Sequence, residues 1–121
     1  MPKVGGMVVS PSQYAMQNGT SYGSQSSFRA HNGSAGVGKQ WHHIVEQRLA
    51  LQGQMPRELI YNTFNTIAID TQVHIDISAY YSSPQSFTGG LTFRAWLTPY
   101  SYDYQFSMGL LVMNRFMEKY R

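Results

Sequence analysis

The composition of the chain changes at Lys39, and this change limits how much of the sequence can build a core. The segment before it is rich in Gly, Ser, Asn and Gln, most densely over residues 24–38. Such segments bury little apolar surface and tend to stay irregular. We therefore expect residues 1–35 to form a flexible or irregular arm. Residues 36–121 should form one folded domain of ordinary size.

Beyond Lys39, the spacing of apolar residues predicts short strands among several helices. The strands are expected at residues 40–45 and 65–69. The helical segments are expected at residues 46–52, 56–64, 71–81, 91–97 and 104–120. Asp70 and Thr71 are natural N-cap residues for the third of these helices. The last one carries an apolar stripe that should face the core: Phe106, Leu110, Met113, Met117 and Tyr120. The fold class is therefore α+β, in a small and mainly helical domain.

The charge balance and the absence of cysteine narrow the possible partners and metals. Nine basic against six acidic residues give a net charge of +3, which favours polyanionic partners. Without cysteine there is no disulfide or thiolate site, so any metal must be held by His, Asp, Glu, Asn or water. No run of 18 apolar residues predicts a membrane span. No signal peptide is convincing after Met1, so export would proceed within a larger protein or by a non-classical route.

The histidines and one asparagine are the candidate functional residues. His42 and His43 are adjacent, and neighbours on an extended segment point to opposite sides. One of them can thus face a metal while the other faces a substrate, if the strand bends there. Asn65 and His74 are nine residues apart, across a strand, a turn and the start of a helix. They are expected to converge on the same site. The fourth histidine, His31, lies in the arm and is expected to be a bystander.

The string Trp41-His42-His43, together with Asn65 and His74, resembles the HNH, or ββα-metal, nucleases. It is most similar to the endonuclease VII-type domains at the C-termini of bacterial polymorphic toxins, in the subgroup named for its Trp-His-His. The Gly-rich lead-in at residues 36–40 also resembles the junction before such toxin tips. The resemblance covers roughly residues 36–82. It implies that the α+β domain contains a ββα-metal motif.

The resemblance implies a role for each matching position. His43 would be the general base that takes a proton from the attacking water. His42 and His74 would be metal ligands, and Asn65 would hold the strand–loop geometry and orient the base. Ser78 departs from the pattern, because colicin-type members have a further metal histidine there. The metal set is therefore sparse, which favours Mg²⁺ while Zn²⁺, Mn²⁺ or Ni²⁺ are tolerated.

Other polar residues near the motif have open or minor assignments. Glu46 either hydrogen-bonds a ligand histidine as an outer-shell partner or simply starts the next helix. Lys39 and Arg48 bracket the motif and are the preferred phosphate contacts. Asp70 and Asp76 are weaker candidates for a third ligand, because Asp70 is expected to cap a helix and Asp76 to face away from His74. Trp41 is expected to brace the strand.

The resemblance implies a metal-dependent nuclease that hydrolyses phosphodiester bonds, with DNA favoured over RNA. It would be the toxic tip of a secreted toxin, delivered into a target bacterial cell and active in that cell's cytoplasm. A cognate immunity protein would be its partner, with no membrane involved. Three alternatives stay open: an RNase toxin of the same fold acting on tRNA, a non-catalytic module that binds nucleic acid or a partner, and a phage-type or mobile-element endonuclease.

Overall fold

The computed structural model describes residues 3–4 and 7–121. Within these ranges it contains seven helices and two antiparallel strand pairs, β1–β2 and β3–β4, which confirms the α+β class. The elements in chain order are β1 (Lys3–Val4), β2 (Met7–Val8), α1 (Pro11–Asn18), α2 (Gln25–Asn32), β3 (Lys39–His43), α3 (Arg48–Leu51), α4 (Arg57–Ile60), β4 (Thr66–Asp70), α5 (Thr71–Tyr81), α6 (Phe93–Leu97) and α7 (Tyr102–Lys119). None of the helices in the described ranges combines the length and apolarity needed to cross a membrane.

The antiparallel pair of β3 and β4, which are separated in sequence by α3 and α4, packs against α5. The strands pair antiparallel, with His42 opposite Ile67 and His43 opposite Thr66. Helix α5 begins immediately after β4, and Asp70 occupies its N-cap position as predicted. The Asp70 side chain makes no capping hydrogen bond, however, and lies 3.6 Å from the Lys39 ammonium across the strand pair. Asp70 thus occupies the predicted N-cap position without the capping hydrogen bond that its side chain was expected to make.

Helix α7 supplies much of the core, in agreement with the predicted apolar stripe. Phe106 and Met113 are buried, and Leu110 and Met117 pack partly buried against the core. Tyr120 does not belong to this core, because it follows the last helical residue and is 46% exposed. Its hydroxyl instead donates a 2.6 Å hydrogen bond to Asp76 on α5. The end of α7 is thus tied to α5 by a polar contact.

The N-terminal segment is not irregular as expected, because residues 11–18 and 25–32 are helical. Ser10 and Ser24 cap the two helices, so the polar residues that suggested an arm provide helix starts. Each helix also buries an apolar side chain, Ala15 in α1 and Phe28 in α2. The fully buried Asn62 donates a 3.2 Å hydrogen bond to the Ala15 carbonyl and so fixes α1. Residues 1–2 and 5–6 of the predicted arm lie outside the described ranges.

Gly109 is the point where α7 approaches the backbone that follows β3. A Cβ atom at this position would lie 2.6 Å from the carbonyl oxygen of Ile44. Alanine is the better helix former by about 1 kcal/mol, but the backbone contact should outweigh this gain. We expect Gly109→Ala to lower the free energy of unfolding by roughly 1–3 kcal/mol, as overpacking does.

Urea denaturation of both Gly109→Ala and Gly23→Ala tests this expectation. Gly23 is the matched control, since a Cβ there meets nothing within 4 Å. Equal stability of the two variants would show that α7 can shift without penalty.

Candidate active site

The β3–β4 strand pair and α5 bring three of the four histidines to one pocket. His42 and His43 are the last two residues of β3, and His74 lies at the start of the second turn of α5. The His42 and His74 rings meet edge to face, with centroids 5.6 Å apart. The pocket has a volume of about 430 Å³. Its lining consists of His42, His43, Glu46, Gln47, Arg48, His74, Ile77, Ser78, Tyr81 and Arg94.

Asn65 lies at the end of the loop before β4 and anchors the chain just beyond His43. Its side chain is fully buried. The carboxamide oxygen accepts a 2.9 Å hydrogen bond from the Val45 amide. The amide group donates to the carbonyls of Val45 and Ile60, at 3.1 and 3.0 Å. The Ile44 amide also donates to the Asn65 carbonyl at 2.8 Å. These bonds fix the path of the chain immediately after the two adjacent histidines.

Burial and mutual proximity keep the three histidines neutral. Desolvation lowers the pKa of His42 to about 3, with further lowering by His74 and His43. Desolvation, and then His74, lower the pKa of His43 to about 4. Burial also lowers the pKa of His74. At neutral pH all three imidazoles therefore hold a free lone pair, which is the form that accepts a proton or binds a metal.

The metal-binding atoms in the pocket suit a cation site that keeps coordination positions for water and substrate. They are too few for a site filled by protein ligands alone. The Nε2 atom of His42 is buried and has no hydrogen-bond partner, which is an unfavourable state unless another group meets it. His74 provides a second imidazole beside it. In the part of the chain that the structure describes, no group of three or more His, Asp or Glu side chains is placed to hold a metal. A cation here would therefore take its remaining ligands from water and substrate.

Ser78 lines the pocket one helical turn after His74. A substitution at this position can therefore test whether the two histidines bind a metal. It is exposed and lines the pocket together with both candidate ligands. Residues four apart share a helix face, so Ser78→His should add a third imidazole. We expect calorimetric titration with Zn²⁺ or Ni²⁺ to show roughly tenfold tighter binding, which corresponds to about 1.4 kcal/mol.

Ala79→His is the control for the Ser78 variant, because it adds a histidine to the exposed side of the same turn. His74→Ala should weaken binding. If Ser78→His and Ala79→His bind the metal equally well, the pocket does not hold the cation.

Glu46 and two arginines form a charged wall of the pocket. The Arg94 guanidinium donates to both Glu46 oxygens, at 2.8–3.0 Å. Arg48 donates a 3.2 Å bond to Glu46 and a 2.7 Å bond to the Thr98 hydroxyl. The predicted bond from Glu46 to a ligand histidine is therefore absent, because Arg94 occupies the carboxylate. Glu46 does not start α3 either, which begins at Arg48. Two guanidinium groups and one carboxylate leave the wall positively charged.

The other sequence candidates lie away from the pocket. Lys39 is at the far end of β3, four strand positions from His43, which corresponds to about 13 Å. Lys39 does not line the pocket, and its exposed ammonium lies 3.6 Å from the Asp70 carboxylate. Asp76 does face away from His74 as predicted, and contacts Lys119 and Tyr120. His31 is exposed and is not among the residues that line the pocket.

Three residues that sequence reasoning did not assign to the site take part in it. Arg94 was one of several basic residues with no feature to single it out, and its partner Glu46 is 48 positions away. Tyr81 ends α5, and its ring lies beside the Arg94 guanidinium at 5.9 Å. Gln25 comes from α2, and its carboxamide oxygen lies 2.8 Å from Nε2 of His43. No local pattern marks Gln25, because its role depends on how α2 packs against β3.

Comparison with known proteins identifies no relative of this chain. No family model matches the sequence, and neither curated proteins nor solved structures gave a match. The resemblance to HNH nucleases therefore rests on the Trp41-His42-His43 string and the spacing of Asn65 and His74.

Proposed function

We propose that this chain is a metal-dependent nuclease of the HNH type that hydrolyses phosphodiester bonds, with DNA as the favoured substrate. The observation that carries the proposal is the convergence of His42, His43 and His74 on one pocket beside Arg48 and Arg94. The residues that carry the sequence motif thus come together with positive charge suited to a phosphate. The buried anchoring of the following loop by Asn65 supports the same assignment.

The chemistry requires a base for water and a stabiliser for the charge on phosphate. His43 accepts a proton from water as the water oxygen bonds to phosphorus and the bond to the 3′ oxygen breaks. The leaving oxygen takes its proton from solvent. A divalent cation held by His42 and His74 would stabilise the charge on the scissile phosphate and on the leaving oxygen. The negative charge of a bound phosphodiester raises the pKa of His43 and makes it a better base.

Arg48 and Arg94 would contact the substrate backbone. Glu46 neutralises part of their charge and holds both side chains in place. Each guanidinium has five N–H donors, so donors beyond those used by these internal bonds are available for phosphate oxygens. Contacts of this kind position a nucleic acid without reading its sequence.

A cleavage assay tests the proposal directly. Purified protein is incubated with plasmid DNA and, separately, with total tRNA, in the presence of Mg²⁺, Mn²⁺, Zn²⁺, Ni²⁺ or EDTA. We expect metal-dependent cutting of the plasmid and none with EDTA. Cutting of tRNA alone would assign the chain to the RNase alternative. Binding without cutting under every metal would identify a non-catalytic module and overturn the proposal.

The biological role we propose is that of a toxin tip delivered into a competing bacterial cell, with a cognate immunity protein that blocks the site. The resemblance to toxin C-termini and the Gly-rich lead-in support this role. Expression of the chain inside a bacterial cytoplasm should then arrest growth, whereas the His43→Ala variant should not. Normal growth at an expression level that yields active nuclease would favour the phage-type or mobile-element alternative.

A further inference from the structure

The His43 ring has one hydrogen-bond partner among the described side chains, and it comes from α2. The carboxamide oxygen of Gln25 lies 2.8 Å from Nε2 of His43, in a partly buried setting. A carboxamide oxygen only accepts hydrogen bonds. With the carboxamide oxygen facing the ring, Nε2 carries the proton of the neutral ring and Nδ1 keeps the free lone pair.

The position of Gln25 follows from the way α2 packs against β3. Trp41 and His43 are two residues apart on a strand and so share one face. Gln25 and Phe28 are three residues apart on α2 and also share a face. Phe28 packs edge-on against the Trp41 indole, with centroids 5.1 Å apart. The packing of Phe28 against Trp41 therefore places Gln25 next to His43.

A second contact joins the C-terminal end of α2 to the same indole. The Nε1 group of Trp41 donates a 3.0 Å hydrogen bond to the carbonyl of Gly33, which ends α2. At the other end of the helix the Ser24 side chain caps the Ser27 amide. The Trp41 contact thus holds the C-terminal end of α2 against β3, and the Ser24 cap stabilises its N-terminal end. Trp41 contributes to the site indirectly, by holding the helix that carries Gln25.

We propose that Gln25 is a positioning residue of the site, which holds the His43 ring with Nε2–H toward its carboxamide and so leaves Nδ1 as the nitrogen that accepts a proton. This inference rests on the proposed function for its catalytic meaning. The Tyr61 ring borders His43 edge-on at 5.8 Å but forms no hydrogen bond with it. Loss of Gln25 therefore removes the contact that selects one orientation of the ring.

The test compares two substitutions with opposite expectations. Gln25→Met keeps the length and helix propensity of the side chain and removes the acceptor. Gln25→Glu keeps an acceptor for Nε2–H. We expect Gln25→Met to lower kcat by roughly 10–100-fold with little change in KM, as loss of an orienting partner does. Gln25→Glu should retain most of the activity. Ser26→Ala is the control, because Ser26 is an exposed neighbour on the same helix.

Imidazole ¹⁵N NMR of the metal-free protein gives a readout that does not depend on activity. In the wild type and Gln25→Glu, the Nε2 of His43 should be protonated, and its proton should exchange slowly with solvent. In Gln25→Met this proton should exchange faster. A wild-type ring protonated at Nδ1, or a Gln25→Met variant with unchanged proton exchange and kcat, would overturn the inference. If the wild type cuts no nucleic acid while the NMR result is as expected, the proposed function fails and the orientation of His43 by Gln25 stands.

Discussion

Replacing His43 with alanine should lower the rate of the proposed phosphodiester cleavage by roughly 10²–10⁴-fold, because loss of a positioned general base has an effect of about that size. The neutral state of His43 in the folded protein makes it ready to accept a proton at pH 7. The variant should still bind metal and nucleic acid, since the two candidate ligands and both arginines remain. The measurement is single-turnover cleavage of plasmid DNA with saturating Mn²⁺ or Mg²⁺.

His31→Ala is the matched control for this substitution, because His31 is exposed and lies outside the pocket. Thermal unfolding monitored by circular dichroism establishes that His43→Ala is folded at the assay temperature. A folded His43→Ala protein that cuts as fast as the wild type would show that the base is another group. A loss of the same size in His31→Ala would point to a general effect of histidine removal.

Replacing Asn65 with alanine should be the most damaging of these substitutions for stability. The buried carboxamide makes three hydrogen bonds, and its loss leaves the Val45 amide and the carbonyls of Val45 and Ile60 without these partners. An unsatisfied buried group costs about 1–3 kcal/mol. We expect the free energy of unfolding to fall by roughly 3 kcal/mol or more, with a melting temperature about 10 °C lower.

Calorimetric unfolding of Asn65→Ala, with Asn114→Ala as the control, measures this loss of stability. Asn114 is an exposed asparagine on α7 and makes no side-chain hydrogen bond in the described structure. Its replacement should change stability by less than about 0.5 kcal/mol. A melting temperature for Asn65→Ala that matches Asn114→Ala would mean that water replaces the carboxamide and that the loop after His43 is not held by it.

Sequence patterns predicted those parts of the fold that depend on residues close together in the chain. Helix α5 follows from Thr71 at its start and from the apolar spacing of Val73 and Ile77. The adjacency of His42 and His43 on a strand, and the position of His74 on the helix after β4, agree with the three histidines lining one pocket, whereas the buried Asn65 is not among its lining residues. Each of these features lies within one or two neighbouring elements, where chain geometry restricts the outcome.

The missed features depend on contacts between distant parts of the chain. Glu46 had several possible partners in the sequence, and only packing of α6 against the loop selects Arg94. Gln25 lies in a segment whose composition suggests an irregular chain, yet its helix packs on β3 through the buried Phe28. Lys39 is close to the histidines in sequence but does not line the pocket, because the extended strand places it about 13 Å from His43.

The contact between Asp103 and α1 has a consequence for the order in which the protein folds. The Asp103 carboxylate accepts hydrogen bonds from the Ser12 amide and hydroxyl, at 2.7 and 3.1 Å, across 91 positions of sequence. The first turn of α1 is thus contacted by a residue that is synthesised long after it. Loop closure over such a span slows folding. During synthesis, the contact of Asp103 with the first turn of α1, and with it the packing of α1 against α7, would therefore form only after α7 has been made.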